Sequence, residues 1–327
     1  MRTFFTLVFL LILGAALWVA WAVYLPVRLS EPKFVLLHPG WTTRHIVREL
    51  KANGIIRSES AFLGMHVLRG EKTLKAGEYK FDGAENALRV RDRLTHGDIY
   101  AREVTVPEGY NMFDIAQAIE QAGLTTSADF LNAARNDMFL IKDIDPQATS
   151  LEGYLFPDTY SFTRTMTSHD MAAAMVRRFR QETKGLNLTD NIHAVVTMAS
   201  IVEKETAVGA ERPEVASVYY NRLKLRMALA ADPSVIYAAL LNNRYRGTIY
   251  QSDLQFDSPY NTYKFPGLPP GPIANPGRAA IDAALHPAAT QYLYFVADAQ
   301  GHHRFARTLD EHNHNVAAYR HALAATQ

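Results

Sequence analysis

His193-Ala-Val-Val-Thr-Met-Ala-Ser-Ile-Val-Glu-Lys-Glu-Thr206 carries an almost unbroken apolar run into a cluster of charge. Read as a helix, the run from His193 to Val202 is apolar on nearly every side, so it has to be buried inside a domain. Glu203 falls one helical turn after Ala199 and two after Val196, on the apolar stripe. Burial disfavours the charged form of a carboxylate and raises its pKa. A helix stopping near Gly209 adds its negative dipole end in the same direction. A carboxylic acid kept protonated near neutral pH is the group that protonates a glycosidic oxygen. The stretch from Ala199 to Thr206 also reads as a solvated Glu-Lys-Glu helix end, and the local pattern leaves both readings open.

Around this stretch the chain has 327 residues, 48% of them hydrophobic, enough for two domains and a sizeable core. A formal net charge of +1 implies no overall pull toward nucleic acid, and none is expected as a partner. The absence of cysteine excludes thiolate catalysis, disulfides and cysteine-based zinc sites. Phe4 to Leu25 contains no charged residue and, as a helix, spans about 33 Å, sufficient for a bilayer core. Trp18, Trp21 and Tyr24 cluster at its far end, where an interfacial aromatic belt would lie. The rival is a cleaved signal peptide, since Ala20-Trp-Ala22 offers an A-x-A pattern. The apolar run is long for a signal and the Trp is awkward in a cleavage site, so an uncleaved anchor is expected. Arg2 before the span and Arg28, Lys33 and Arg44 after it leave the orientation open, because large domains translocate largely regardless of local charge.

An internal repeat follows. After Gly40, Ile46, Leu50, Gly54 and Ser58 come at offsets six, ten, fourteen and eighteen; after Gly109, Ile115, Ile119, Gly123 and Ser127 do the same. Each copy reads as a short strand (Phe34–Leu37, Glu103–Val106), a glycine turn, an amphipathic helix and a serine-capped second helix. Between the copies, Leu74–Phe81 reads as a glycine-turned β segment and Asn86–Gly97 as a helix. Beyond Ser150, His169–Thr183 reads as a helix, Pro213 opens another to about Leu225, and Asp232 is the expected N-cap of a third with Pro233 in its first turn. Pro259 to Gly277 is too rich in proline and glycine for a regular element, and such long loops are usually functional. Arg278–Leu285 returns to helix, and Tyr292–Ala297 with His303–Arg307 reads as a hairpin. The fold class expected is α+β.

His302, His303, His312 and His314 lack a recognised metal-ligand spacing, so polar surface or local hydrogen bonding is their expected role and no metal or other cofactor is expected. No phosphate loop and no G-x-S-x-G elbow is present. Two-carboxylate glycosidases need acids on both sides of the scissile bond. Glu205 lies about 200° around a helix from Glu203 and cannot form that pair with it. Glu152, Asp158, Glu211 and Asp232 are the other acids available. A lytic reaction needs no second acid, because the sugar's own 6-hydroxyl attacks the anomeric carbon. Tyr260, Asn261 and Tyr263 offer rings and an amide suited to a sugar, or equally to packing within the loop.

Glu152-Gly-Tyr-Leu-Phe-Pro-Asp-Thr-Tyr160, Ala199-Ser-Ile-Val-Glu-Lys-Glu-Thr206, Glu211-Arg-Pro213, Asn221-Arg-Leu223, Asp232-Pro233, Tyr260-Asn-Thr-Tyr263 and Gly267-Leu-Pro-Pro-Gly-Pro-Ile-Ala-Asn-Pro-Gly277 together resemble the endolytic peptidoglycan lytic transglycosylases, the YceG-like or MltG family. Tyr294-Phe-Val-Ala297 and His303-Arg-Phe305 extend the likeness. The resemblance implies an anchor at 1–28 with a cytoplasmic tip, a LysM-like module at 33–100, a second βα unit or connector at 101–149, and a catalytic α+β domain at 150–327. It implies a single-pass inner-membrane protein with its bulk in the periplasm, meeting cell-wall synthases. It further implies cleavage of nascent glycan strands between N-acetylmuramic acid and N-acetylglucosamine, leaving 1,6-anhydro ends and terminating elongation. The family's catalytic glutamate is matched to Glu203, with Glu152, Asp232, Tyr260, Asn261 and Tyr263 as substrate-binding candidates. Where the family commonly has Thr-Asp-Pro, this chain has Ala231-Asp-Pro233, which puts one secondary contact in doubt. A muramidase acting on the same bond and a non-catalytic wall-binding scaffold are the competing readings, and the role of Glu205 stays open.

Amino-terminal sequencing of the purified native protein separates the two readings of the first segment. An anchored chain keeps Phe4–Leu25, whereas cleavage after Ala20-Trp-Ala22 creates a new terminus at Val23.

Overall fold

The computed structural model describes residues 1–188 and 191–324. Positions 189–190 and 325–327, which fall within the expected catalytic domain, lie outside the described residues. The chain divides into two compact units, Met1–Glu103 with Ser161–Thr167 and Val104–Tyr160 with Ser168–Gln327.

In the first unit, α1 (Arg2–Tyr24) is the one helix among the described residues long and apolar enough to cross a membrane. Most of it is exposed, but Ala22 and Val23 at its end are buried. There follow β1 (Lys33–Leu37), α2 (Thr43–Ala52), α3 (Glu59–Leu68), β2 (Gly77–Phe81) and α4 (Ala87–His96). β1 and β2 pair antiparallel, with Lys33 opposite Phe81 and Leu37 opposite Gly77. Strand alternation turns Val35, Leu37, Tyr79 and Phe81 to one face, where Ile46, Val47 and Leu50 of α2 and Phe62 of α3 cover them. Burying each of the larger side chains contributes about 1.5–3 kcal/mol. Thr42, Ser58 and Asn86 cap the three helices through their side-chain oxygens. Glu78 is buried between the guanidinium groups of Arg102 (3.0 Å) and Arg164 (3.3 Å), which ties the 161–167 segment into this unit.

β3 (Arg102–Thr105) pairs with β4 (Thr159–Phe162), and the chain crosses between the units within these strands. The second unit then repeats the first copy's local geometry. α5 (Met112–Gln121) and α6 (Ser127–Asn136) have the same ten-residue lengths as α2 and α3. The glycine turns match as well, with Gly40 and Gly109 at φ +83° and +79°. One expected cap shifts. Thr126, not Ser127, accepts the Asp129 amide, because Ser127 is held by the Glu120 carboxylate at 2.8 Å.

The rest of the second unit is α7 (Ser168–Glu182), α8 (Ile192–Glu205), α9 (Arg212–Lys224), α10 (Asp232–Leu241), α11 (Arg278–Leu285), β5 (Tyr294–Ala297), β6 (His303–Ala306) and α12 (Leu309–Ala324). Every residue of α8 from Val196 to Val202 is buried, as its all-round apolar pattern requires. α9, α10 and α11 pack on it. Asp232 does not cap α10: Ala231 occupies the N-cap position and the Asp232 carboxylate turns to another partner. The proline-rich loop is held by two amides. Asn261 donates to the carbonyls of Leu254 (3.0 Å) and Phe256 (2.8 Å), and Asn275 accepts the Gly153 (2.8 Å) and Leu155 (2.9 Å) amides.

Gly153 sits at φ +88°, and a Cβ there would lie 2.5 Å from Pro272 Cγ and 2.8 Å from Val196 Cγ1. Gly153→Ala is expected to destabilise the second unit by about 1–3 kcal/mol through overpacking, with backbone strain added. Urea unfolding of the variant against the parent checks it; equal midpoints would show that the loop yields instead.

Candidate active site

The candidate site lies within the second unit. At the end of α8, Glu203 and Glu205 leave the helix on opposite sides, as two residues at 100° each require. Glu203 Oε1 accepts a hydrogen bond from the Arg212 guanidinium at 2.7 Å, and Oε2 accepts the Gly277 amide at 2.9 Å. The side chains of Glu203 and Arg212 are 5% and 9% exposed. Glu203 is buried, as its place on the apolar stripe predicts, but it is held there in an ion pair that the local sequence does not show. The short 3-10 turn Gly209–Glu211 reverses the chain and returns Arg212, the first residue of α9, against the end of α8. Burial pushes the Glu203 carboxyl up, while the Gly277 amide and the Arg212 charge hold it toward the ionised form.

Glu205 faces a cavity of about 390 Å³ whose lining includes Tyr219, Arg222, Asp232, Tyr263, Tyr294 and Phe295. Its Oε1 accepts the Tyr219 hydroxyl at 2.8 Å. Burial, chiefly, pushes its pKa up to about 7; the Asp232 charge pushes the same way, and the Tyr219 bond and Arg222 oppose them. The Tyr263 hydroxyl donates to Asp232 Oδ1 at 2.5 Å. The Arg222 guanidinium is pinned by the carbonyls of Leu293 (2.7 Å) and Leu229 (2.6 Å) and lies 5.3 Å over the Tyr294 ring. This arrangement offers a carboxylic acid near its midpoint at neutral pH, beside aromatic rings that suit the apolar faces of a sugar.

The β5–β6 hairpin forms one wall, and Glu211 latches it. The carboxylate accepts from His302 Nδ1 (2.9 Å) and His303 Nδ1 (2.7 Å), which accounts for these two histidines in local hydrogen bonding, whereas His312 stacks on the Tyr294 ring at 5.3 Å. Phe295 then meets His303 and Tyr219 edge-on, with ring centroids 5.3 and 5.9 Å away. A continuous set of contacts thus runs from Glu211 to the tyrosine that holds Glu205.

Of the residues singled out from sequence, Asp232 and Tyr263 join Glu205 in the cavity lining. Glu152 is only 1% exposed and caps α5 from outside the helix, accepting the Met112 amide at 2.9 Å and the Asn275 side-chain amide at 2.8 Å. Burial pushes its pKa up to about 8. Asn261 is fully buried and its amide group serves the loop backbone, leaving no face for a ligand in this conformation. Tyr260 packs 5.1 Å from the Tyr237 ring, and burial pushes its hydroxyl up to about 12. Asp158 accepts from Arg178 at 2.5 Å. Tyr219, Arg222, Tyr294 and Phe295 also line the cavity, though none of them stands out singly in the sequence as a site residue. The available signal was the Tyr219-Tyr-Asn-Arg222 spacing, which puts a hydroxyl and a cation one turn apart on α9.

A model of the YceG-like family matches residues 35–318. The endolytic murein transglycosylase of Bacillus subtilis (strain 168) is 38% identical over 294 residues, 84% of this chain and 81% of that protein. That of Streptococcus pneumoniae serotype 2 (strain D39 / NCTC 7466) is 30% identical over 333 residues, covering 90% of this chain and 60% of the longer streptococcal protein. A 2.6 Å crystal structure of a YceG-like protein from Listeria monocytogenes aligns with a TM-score of 0.56 at 33% identity, covering 86% of this chain and 98% of that one.

The raised pKa of Glu205 has a consequence for stability. A carboxyl lifted from 4.5 to about 7 binds its proton more tightly folded than unfolded. Its contribution is therefore complete below about pH 4.5 and is lost as the pH rises through about 7. Glu205→Gln cannot ionise, so its stability relative to the parent is expected to increase across that window in urea unfolding at a series of pH values. A difference that stays constant with pH would show that Glu205 is not lifted.

Proposed function

The chain belongs to the YceG-like family, and on that premise we propose that Glu205 is the acid with which it cleaves peptidoglycan glycan strands. It is a murein lytic transglycosylase. The observation that carries the assignment is a carboxyl with a pKa near neutrality on the wall of an aromatic cavity, while Glu203 two residues away is held in an ion pair.

The bond cleaved is that between N-acetylmuramic acid and N-acetylglucosamine, within nascent strands. Tyr219 donates to Glu205 Oε1, which leaves Oε2 to carry the proton. That proton passes to the glycosidic oxygen as the bond to the anomeric carbon breaks. The muramic acid 6-hydroxyl attacks the same carbon and returns its proton to Glu205, leaving a 1,6-anhydro end, ending strand elongation and restoring the acid. Asp232, held by Tyr263, supplies negative charge near the positive charge that develops on the sugar. Tyr263, Tyr294 and Phe295 provide stacking faces, and Arg222 orients the Tyr294 ring. Glu203 serves the site by fixing the end of α8, and Glu152 and Asn261 by fixing the loop and the start of α5.

A hydrolytic muramidase would need a second carboxylate to activate water. Asp232 is the carboxylate beside Glu205 in the cavity lining, and one of its oxygens already accepts from Tyr263. A wall-binding scaffold would gain nothing from a buried acid poised at neutrality. The wider reading keeps α1 as a single inner-membrane anchor with the rest of the chain in the periplasm, and residues 33–100 as a LysM-like module that holds glycan. Residues 101–149 are then a second βα unit or connector ahead of a catalytic domain at 150–327, and cell-wall synthases, which make the nascent strands, are the partners.

Glu205→Gln is expected to lower cleavage by at least about 10²-fold, within the 10²–10⁴-fold range of acid–base catalysis, with folding and glycan binding retained. Glu203→Gln removes one partner of a buried ion pair, so its main effect is expected on stability, about 3–5 kcal/mol for a fully broken pair. Mass spectrometry of the released strands reports the outcome, since an anhydro end is lighter than a reducing end by one water. The assignment falls if folded Glu205→Gln releases anhydro ends at the parent rate, or if Glu203→Gln is stable and inactive.

A further inference from the structure

The end of α1 is built into the first unit, not left as a free tether. Ala22 and Val23 are buried in the same core as Phe62 and Met65 of α3. Beside them is a cavity of about 350 Å³, lined largely by Val19, Val23 and Tyr24 of α1, Met65 and Leu68 of α3, and Leu88 of α4. α3 nevertheless ends on two uncovered apolar side chains, Val67 at 58% and Leu68 at 89% exposure. An exposed apolar patch continuous with an apolar helix marks a surface that something else covers.

We propose that α3 dips into the bilayer alongside α1, with phospholipid acyl chains covering Leu68 and Val67 and filling the groove between the helices. The inference rests on reading α1 as a membrane anchor. Helical rise sets the depth: Val19 lies about 8 Å along the axis from Tyr24. Leu68 shares a cavity with both residues, so it sits at the level of the α1 segment that carries Trp18, Trp21 and Tyr24. In a spanning helix that segment lies at the boundary between headgroups and acyl chains. Cations lie where phosphates would be. Arg57 stacks 5.0 Å over the Trp21 ring and donates to the Leu25 and Pro26 carbonyls, and Arg69 lines the groove itself. Two apolar elements entering together, with arginines above them, seat the first unit against the membrane surface.

The chain contains no cysteine, so single spin labels can be introduced into the full-length protein without removing any native thiol. Leu68→Cys, Val8→Cys in the first half of α1 and Arg44→Cys on the exposed face of α2 are each labelled with a nitroxide. They are then reconstituted in vesicles of zwitterionic and anionic phospholipid. Accessibility to oxygen, which concentrates in acyl chains, is compared with accessibility to a water-soluble nickel complex. The Leu68 label is expected to show an oxygen-to-nickel collision ratio severalfold above that of Arg44 and approaching that of Val8. If Leu68 matches Arg44 while Val8 remains lipid-like, the anchor stands and the seating is wrong. If Val8 and Leu68 are both nickel-accessible, the anchor reading itself fails and the inference falls with it. If Leu68 is shielded from both reagents, a protein partner or second copy covers α3 and the lipid contact is excluded.

Discussion

The buried ion pair between Glu203 and Arg212 is the constraint on which the second unit's chemistry depends. One carboxylate joins three parts of the chain: the end of α8 that bears it, the start of α9 through Arg212, and the start of α11 through the Gly277 amide. A charge this deep is tolerated because both oxygens have partners. With the last turn of α8 held in this way, the residue two positions on has one direction available. Glu205 points to the opposite side, where Tyr219 receives it.

Two glutamates separated by a single residue thus acquire different properties from their surroundings alone. Glu203 has a guanidinium at 2.7 Å, which works against its desolvation. Glu205 has a neutral hydroxyl, with Asp232 adding repulsion, and is pushed up to about 7. Carboxyl groups whose environments separate their proton affinities are how one fold assigns acid and structural roles. The aromatic wall opposite is kept in register by contacts remote from the acid, from Glu211 through His303 and Phe295 to Tyr219.

A second buried carboxyl holds the rest of the unit. Glu152 binds the Met112 amide at the start of α5, where a helix N-terminus favours an acceptor, and shares Asn275 with the Gly153 and Leu155 amides. The proline-rich loop is therefore rigid through its own side chains. Asn261 and Asn275 replace, with side-chain amides, the backbone pairing that the prolines prevent.

The local elements are legible in the order of the residues alone. The spacing after Gly40 and Gly109 predicted two matching helix pairs, because an apolar stripe and its caps are written within a dozen residues. The all-round apolar run predicted the buried α8, and Tyr292–Arg307 predicted the hairpin. Periodicity also separated Glu203 from Glu205 by about 200°. It could not say which of them faces a partner and which a cavity. That was decided by Arg212, which reaches Glu203 only after the chain reverses at Gly209–Glu211, and by Tyr219, Asp232, Tyr263 and the hairpin, brought together from four separate segments. Likewise, Asp232 has the residue type and position of a helix cap but is claimed by Tyr263, 31 residues later. A pKa depends on every charge and dipole within a few ångströms, and those neighbours are assembled only by the tertiary fold.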